Sequence, residues 1–345
     1  MRILILGTFL SSAVGTRAVS EDLGERLAAS GWSVTMRSRA RARTARLLDT
    51  VVSAWRRRRD YSVGLVDVFS GRAFILAEAA CWTLRRAKKP YILAVHGGAL
   101  PAFARRWPRR VRRLVESAAV VVTPSRYLAS ELGPFRAPIH IVPNPISLER
   151  YPYRVRTAPR PCLIWLRSFH RVYDPVLACH VLARLSRDYP EARLVMIGPD
   201  KGDGTLKRVH GAIEALGLGG RVELPGPIAK SDVPRWLSGS DIFLNTTFID
   251  NAPVSVLEAQ ACGLGVVSTN AGGLPHMLAD GQDALLVPDR DPDALAAAVR
   301  RILTEPGLGE RLSNGGRTRA ANHDWELVLP MWRRLFHTLA LREAS

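Results

Sequence analysis

The segment from residue 241 to 263 constrains the fold of this chain more than any other. It begins with an apolar run at 241–244, which small polar residues follow. Pro253 then suits the first helical position, where its missing N–H would be unpaired anyway, and Gly263 suits the left-handed position that ends a helix. The pattern predicts a strand, a loop at its carboxyl end and a short helix whose N-terminus favours a phosphate.

Within that helix, Val254, Leu257 and Ala261 are spaced to share one face with Glu258. A buried acid on an apolar face is costly unless it is paired, and a sugar hydroxyl would be a suitable partner. The alternative is a plain strand–helix unit in which a neighbouring arginine pairs with Glu258. Asp250 adds a second acid, just before the helix.

The following segment strengthens the functional interpretation. A short β run at 265–269 ends in the glycine-rich loop 272–275. Asp250, Glu258, the small residues after Glu258 and this Gly-Gly loop together resemble the donor-site signature of retaining glycosyltransferases of family 4. The first acid of that signature is usually Glu, so Asp250 has one methylene less with which to reach a donor sugar.

The resemblance implies an α/β fold of GT-B type, with two doubly wound, Rossmann-like parallel-sheet domains facing each other across a cleft. The expected domains are residues 1–150 for the acceptor, residues 151–322 for the nucleotide-sugar donor, and 323–345 as a helix that packs back on the first domain. The polar, Pro- and Arg-rich segment 147–160 marks the boundary. The βαβ pattern that opens the chain independently predicts a doubly wound domain.

The resemblance also implies the roles of individual residues. Arg167 faces the donor diphosphate, and Tyr173 stands where the family has a second cation, a lysine. The loop after the strand at 222–224 holds the nucleotide base, Glu258 holds the ribose hydroxyls and Asp250 contacts the donor sugar. The implied donor site comprises Gly15, Arg167, Tyr173, Gly198, Pro227, Ile228, Asp250, Asn251, Ala252, Pro253, Val254, Ser255 and Glu258.

His96 is the candidate from the first half of the chain. A continuous apolar run at 91–95 predicts a buried parallel strand, which delivers His96 to the edge of the sheet where ligands bind. A lone histidine is more often structural, but the family has a histidine at the matching place near the reacting sugar. The resemblance therefore implies a catalytic group of His96, Arg167 and Asp250. Gly15 is either a close-approach residue of the first loop or a simple turn glycine.

The net charge of +18 lies almost wholly in the first half. Residues 1–150 hold 26 Lys and Arg against 10 Asp and Glu, and the rest hold 23 against 21. The apolar spacing at 103–117 predicts a basic helix that Pro108 kinks or starts. The candidate membrane or acceptor patch consists of Arg105, Arg106, Trp107, Arg109 and Arg110. The alternative is an ordinary solvated face.

We expect a glycosyltransferase that moves a hexose-type sugar from a UDP- or GDP-sugar to a glycan or lipid-linked acceptor. The resemblance implies that no metal and no permanently bound cofactor is needed. The alternatives are a GT-B nucleotide-sugar epimerase and a basic protein that binds nucleic acid, although no nucleic-acid motif accompanies the charge. The four cysteines lack metal or disulfide spacing, and no apolar run reaches the roughly 20 residues that span a bilayer. We therefore expect a cytoplasmic protein, peripheral on the inner face of the membrane.

Overall fold

A computed structural model of the chain describes residues 1–7, 9, 18–37 and 42–344. The chain divides into two compact units. Unit 1 is Met1–Asn144 with Glu326–Ser345, and unit 2 is Pro145–Trp325. Within the described residues, each unit is built around a six-stranded parallel sheet flanked by helices, so the predicted pair of doubly wound α/β domains is confirmed.

The sheet of unit 1 has the strand order β2-β1-β3-β4-β5-β6. Its central strands are buried on both faces, which explains why β4 is a continuous apolar run. The strands are β1 (Arg2–Leu6), β2 (Ser33–Arg37), β3 (Val63–Val68), β4 (Tyr91–Val95), β5 (Val120–Thr123) and β6 (His140–Ile141).

The helices of unit 1 cover both faces of this sheet. The β1-to-β2 connection runs opposite to the later ones, so right-handed crossovers place the first helix on one face and the next five on the other. The last helix packs edge-on against Trp32 through Phe336, with 5.8 Å between ring centroids. The helices are α1 (Val19–Ala29), α2 (Arg43–Arg56), α3 (Phe74–Arg86), α4 (Leu100–Arg106), α5 (Pro108–Glu116), α6 (Arg126–Leu132) and, at the end of the chain, α14 (Trp325–Ala344).

The predicted basic helix at 103–117 is two helices. Trp107 separates α4 from α5 with a non-helical backbone, φ −130° and ψ 56°, and Pro108 is the first residue of α5. The physical reason is that the proline ring disfavours the helical conformation of the preceding residue and removes a helical N–H.

The sheet of unit 2 has the order β12-β11-β10-β7-β8-β9. Its strands are β7 (Cys162–Leu166), β8 (Arg193–Ile197), β9 (Val222–Gly226), β10 (Ile242–Asn245), β11 (Gly265–Thr269) and β12 (Leu285–Val287). Its helices are α7 (Pro175–Leu185), α8 (Thr205–Ala215), α9 (Val233–Ser238), α10 (Val254–Ala261), α11 (Leu274–Met277), α12 (Pro292–Thr304) and α13 (Leu308–Ala321).

The sequence patterns did not identify β12 or the helices α11 to α13. Helix α13 contains glycines because other backbone and side-chain atoms lie close to it. A Cβ at Gly315 would be 2.2 Å from the carbonyl oxygen of Gln282, and one at Gly309 would be 2.6 Å from that of Arg156. A Cβ at Gly316 would be 3.1 Å from the Gln260 side chain of α10. The glycines therefore weaken the helical signal of α13 while they allow it to pack closely against α10.

Candidate functional site

Helix α10 begins at the carboxyl end of β10, as the sequence predicts. Pro253 lies one residue before the helix rather than at its first position. The C-terminal end has the predicted glycine: Gly263 has φ +77°, and the N–H groups of Gly263 and Leu264 donate to the carbonyls of Gln260 and Ala259. Leu257, Glu258 and Ala261 are buried, as the predicted shared face requires, and the helix is buried on nearly every other side after Val254 as well.

The Gly-Gly loop fixes the backbone in front of α10. The N–H of Gly273 donates a 2.8 Å hydrogen bond to the carbonyl of Asp250. A Cβ at Gly272 would be 2.3 Å from that carbonyl oxygen, and one at Gly273 would be 2.0 Å from the carbonyl oxygen of Asn251. Larger residues would therefore displace the segment that carries Asp250.

Arg167 and Asp250 form an ion pair, and the structure brings both together with Tyr173. Nη2 of Arg167 donates to Oδ2 of Asp250, and the guanidinium lies 4.2 Å from the centre of the Tyr173 ring. Gly198 follows β8 and packs against the backbone of Arg167, where a Cβ would be 1.8 Å from the carbonyl oxygen. Nε of Arg167 is buried and has no partner in the described part of the chain. This orphaned donor is available for an anionic ligand.

Glu258 is 2% exposed, and its carboxylate is held through one oxygen. Oε1 accepts a 2.6 Å hydrogen bond from the hydroxyl of Tyr151 and also contacts the ammonium group of Lys230. Oε2 has no recorded partner among the described residues. A tyrosine and a lysine thus occupy the place for which the sequence suggested an arginine or a sugar hydroxyl, and one oxygen remains for a ligand.

Tyr151 stays protonated and is therefore a permanent donor. Burial raises the pKa of Tyr151 far above its ordinary value, and the charge of Glu258 raises it further. The sequence analysis missed Tyr151 and Lys230, because neither is part of the Asp250–Glu258 pattern. Tyr151 precedes Glu258 by 107 residues, so only the folded chain shows that they are partners.

The N-terminal turn of α10 contains a second orphaned polar atom. The hydroxyl of Ser255 is buried and has no partner among the described residues. Pro253, at the N-cap, supplies no side-chain hydrogen bond to the free N–H groups of the first turn. Backbone N–H groups, the helix dipole and a buried hydroxyl together suit a phosphate. On another loop of unit 2, Pro227 is exposed and Ile228 is partly buried just after β9.

Unit 1 carries His96 at the carboxyl end of β4, as predicted. Its ring is stacked on Phe69, with 5.3 Å between centroids, and Nε2 lies 3.3 Å from Oδ1 of Asp67. His96 is partly exposed, whereas Asp67 is buried. Gly15, the other candidate from this half of the chain, lies outside the described residues.

The structure divides the basic patch into paired and unpaired arginines. Arg105 donates to Glu131 at 3.0 Å, and Arg110 makes two hydrogen bonds to Glu78 at 2.9 and 2.6 Å. Arg106 lies over the ring of Trp107, 5.8 Å from its centre. Among the described residues, Arg106 and Arg109 have no carboxylate partner.

No group of three or more His, Cys, Asp or Glu side chains is placed to hold a metal ion in the parts of the chain that the structure describes. Over those same residues, no helix is both long and apolar enough to cross a bilayer. The four cysteines are free and buried. Burial raises the pKa of the thiols of Cys81 and Cys179 to about 12 and that of Cys262 to about 11, which makes them poor nucleophiles at neutral pH.

Two family models match this chain. Residues 156–319 match the model described as "Glycosyl transferases group 1", and residues 14–150 match "Glycosyltransferase Family 4". A D-inositol 3-phosphate glycosyltransferase of Streptomyces bingchenggensis is 27% identical over 158 residues, which are 44% of this chain and 35% of that protein. Alignments to this and two similarly named proteins cover between 35% and 42% of their lengths.

A longer alignment relates the chain to a GDP-mannose-dependent alpha-(1-6)-phosphatidylinositol monomannoside mannosyltransferase of Mycolicibacterium smegmatis. The two are 27% identical over 243 residues, which are 65% of this chain and 61% of that protein. Among solved structures, a sucrose-phosphate synthase from Thermosynechococcus elongatus matches all of both chains with a TM-score of 0.81 at 20% identity. HepE from Anabaena, solved with UDP-glucose, has a TM-score of 0.78 at 15% identity and covers 98% of this chain and 100% of its own.

Proposed function

We propose a sugar transfer as the reaction of this chain, which belongs to the glycosyltransferases of family 4 with the GT-B fold. In this proposal, unit 2 binds a nucleoside diphosphate sugar and the chain transfers the sugar to an acceptor hydroxyl, with retention at the anomeric carbon. The observation that carries the proposal is a pair of buried polar atoms, Nε of Arg167 and Oγ of Ser255, which have no partner among the described residues. One belongs to the arginine paired with Asp250 just before α10, and the other lies in the first turn of α10.

A diphosphate would satisfy both atoms. Its oxygens would accept from Nε of Arg167, the Ser255 hydroxyl and the free N–H groups of α10. Negative charge on the leaving diphosphate grows as the bond to the sugar breaks, so these fixed donors stabilise the transition state more than the bound donor. They also supply the positive charge for which other enzymes use a metal ion, so we propose a reaction that needs no metal.

Glu258 would bind the ribose of the donor. Its free oxygen, Oε2, can accept hydrogen bonds from ribose hydroxyls, while Tyr151 and Lys230 hold Oε1. This arrangement keeps the carboxylate fixed before the ligand arrives, which reduces the entropy lost on binding. Asp250, through its bond to Arg167, would orient the guanidinium and contact the sugar.

The experiment must identify the base and the sugar of the donor, and the acceptor. The relatives include a GDP-mannose-dependent enzyme and a structure solved with UDP-glucose, so both donors belong in the panel. Mass spectrometry of products from UDP-glucose, UDP-N-acetylglucosamine and GDP-mannose, each with glycan and lipid-linked acceptors, should show a sugar added to one acceptor. Conversion of the donor sugar without an acceptor would instead indicate an epimerase, and failure with every pair would count against sugar transfer by this chain.

We also propose that unit 1 docks on an anionic membrane on its cytoplasmic side, where it would reach a lipid-linked acceptor. Three tryptophans support this idea: Trp55 on α2, Trp82 on α3 and Trp107 after α4, which are 44%, 52% and 44% exposed. An arginine lies over each ring, with distances to the ring centres of 4.6, 5.8 and 5.8 Å.

These tryptophans belong to one layer of helices. Helix α3 packs against α2, and Phe74 of α3 contacts Phe103 of α4 with 4.8 Å between ring centroids. The exposed apolar side chains Leu48, Val52 and Ile75 lie on the same two helices, α2 and α3. Tryptophan rings and basic side chains are the groups that bind at the boundary between lipid headgroups and acyl chains. We call Trp55, Trp82, Trp107, Leu48, Val52 and Ile75 the tryptophan face.

A further inference from the structure

The carboxyl ends of three neighbouring strands of unit 1 carry a cluster of residues to which the reaction proposed above assigns no role. Gly7 follows β1, Asp67 lies near the end of β3 and His96 follows β4. Ser20, in the first turn of α1, completes the cluster. The carboxyl ends of parallel strands meet at one edge of the sheet, so residues that are far apart in sequence come together here.

The Asp67 carboxylate is held on both oxygens. Oδ1 lies 3.3 Å from Nε2 of His96, and Oδ2 accepts a hydrogen bond from the hydroxyl of Ser20. The Asp67 side chain is 3% exposed, whereas that of His96 is 19% exposed. The aspartate is therefore shielded from solvent, and the histidine is the member of the cluster that a ligand can reach.

Gly7 leaves space for this carboxylate. A Cβ at Gly7 would be 2.5 Å from Oδ2 of Asp67 and 3.0 Å from the ring of Phe9. Any side chain at this position would have to displace the aspartate, so the small residue and the buried acid depend on each other.

We propose that Asp67 is a positioning residue that holds His96 with its proton on Nε2, so that Nδ1 is presented to an incoming hydroxyl group. A carboxylate only accepts hydrogen bonds, so the nitrogen that faces it must carry the proton. The neutral imidazole then has its lone pair on Nδ1, which has no recorded partner among the described residues. The stacked ring of Phe69 restricts rotation of the imidazole and keeps Nδ1 in place.

The hydroxyl in question is that of a sugar, which is the one part of this inference that rests on the proposed function. Nδ1 would accept a hydrogen bond from a sugar hydroxyl of the acceptor. A histidine with the opposite tautomer would instead present an N–H donor at the same place. Asp67 therefore determines that His96 binds a hydrogen-bond donor of the ligand at Nδ1, rather than an acceptor.

Nuclear magnetic resonance of ¹⁵N-histidine-labelled protein tests the tautomer directly. The spectrum should be recorded at a pH above which the histidine signals no longer change, so that the rings are neutral. His96→Gln identifies the His96 signals. In the wild-type protein, His96 should carry its proton on Nε2, and in Asp67→Asn the two tautomers should become mixed.

Activity gives the second measurement. Loss of a carboxylate that orients a metal-bound histidine costs about 10–100-fold, and we expect kcat of Asp67→Asn to fall by a similar factor. The dissociation constant for nucleoside diphosphate should not change, because that ligand is assigned to unit 2. Asp49→Asn is the matched control: Asp49 also accepts from a serine, Ser53 at 3.0 Å, but it has no bond to His96.

The outcomes separate this inference from the proposed reaction. A wild-type His96 protonated on Nδ1 overturns the inference, whatever the Asp67 variant shows. An Asp67→Asn spectrum with an unchanged Nε2 tautomer also overturns it. The predicted change of tautomer in a protein that transfers no sugar from any donor would uphold the positioning role while rejecting the proposed function.

Discussion

The hydroxyl of Tyr151 donates a 2.6 Å hydrogen bond to Oε1 of Glu258. This bond joins the segment that precedes β7 to the middle of α10, and both partners are buried. Since Lys230 contacts the same oxygen, the carboxylate cannot rotate freely, and Oε2 keeps a defined position. A residue outside the recognised signature therefore sets the geometry of a residue within it.

Replacing Tyr151 by Phe should weaken the binding of nucleoside diphosphate by about 10-fold, because a hydrogen bond to a charged group contributes about 1.5–3 kcal/mol and Lys230 retains part of the restraint. Isothermal titration calorimetry measures the change. Tyr153→Phe is the matched control, since the Tyr153 hydroxyl bonds to Asn314 and not to Glu258. Glu258→Gln should weaken binding more than Tyr151→Phe does, and equal affinity in all four proteins would reject the ribose role.

Arg167→Ala should lower kcat more than it lowers donor affinity, because charge on the leaving diphosphate grows in the transition state. Asp250→Asn should also lower kcat, with nucleotide binding near normal. Because the two side chains form an ion pair, their effects on the activation free energy should not add. The effect of the double variant should differ from the sum of the single effects by about 0.5–3 kcal/mol. Steady-state kinetics of both single variants and the double variant provides the cycle. Simple additivity would mean that the pair does not act as a unit.

Ser255→Ala should leave the free protein as stable as the wild type or slightly more stable, because it removes a buried hydroxyl that has no partner among the described residues. The variant should lose affinity for nucleoside diphosphate, since the phosphate loses a donor that contributes about 1.5–3 kcal/mol. Thermal unfolding with and without nucleotide measures both effects. A lower Tm without ligand would show that Ser255 already serves the fold.

Asp241 is predicted to make unit 2 sensitive to acid. This buried carboxylate accepts from Arg154, Arg156 and Arg160, which anchors the segment before β7. Burial alone would raise the pKa of Asp241, but the hydrogen bonds from Arg160 and the charges of Arg154 and Arg160 outweigh it, so the pKa lies below its ordinary value.

A lowered pKa in the folded state means that Asp241 stabilises the fold above the unfolded pKa, near 3.9, and that this contribution is lost as the pH falls through the lower folded pKa. Asp241→Asn should therefore lower the free energy of unfolding by about 3 kcal/mol at pH 7, because it leaves the buried Arg156 without its carboxylate. Measured by urea unfolding, the difference in the free energy of unfolding between wild type and Asp241→Asn should decrease toward pH 3. A difference independent of pH would place the effect in packing rather than charge.

The sequence predicted both sheets, and the strand, loop and helix that carry Asp250 and Glu258, because these depend on local patterns. Apolar runs identified most strands and Gly263 identified the end of α10, whereas the donor role inferred from Asp250 and Glu258 stays a prediction. Partners contributed from distant parts of the chain were not predictable, and Tyr151 and Lys230 are the main examples. The spacing in α10 did not show how completely it is buried, because α13, whose glycines hide its helical pattern, packs on another side of it.

The same limit applies in unit 1. The sequence placed His96 correctly at the end of β4, but Asp67 precedes it by 29 residues on another strand. Likewise, the arginines at 105–110 were equivalent in the sequence, and only the structure separates those that already have a carboxylate partner from those that do not. Pairing in three dimensions, rather than residue type, decides which charges are available.

That distinction gives a charge-matched test of membrane docking. Arg106→Gln/Arg109→Gln and Arg105→Gln/Arg110→Gln remove the same formal charge from unit 1. Within the described parts of the chain, the first pair has no carboxylate partners, whereas Glu131 and Glu78 already neutralise the second. Each basic residue near an anionic surface contributes about 1 kcal/mol, so losing Arg106 and Arg109 should weaken vesicle binding about 30-fold and losing the paired arginines much less.

Sedimentation with phosphatidylserine-containing vesicles measures this difference. Wild-type protein should pellet at low salt, stay free with phosphatidylcholine vesicles, and be released at about 0.5 M salt because screening shortens the range of the attraction. Trp55→Gln/Trp82→Gln should weaken binding at every salt concentration at which the wild type still pellets, since the apolar contribution of the tryptophan face is not screened by salt. Equal binding to anionic and neutral vesicles would reject electrostatic docking. Equal losses from the two arginine pairs would show that the ion pairs with Glu131 and Glu78 do not persist at the membrane, so that net charge alone attracts unit 1.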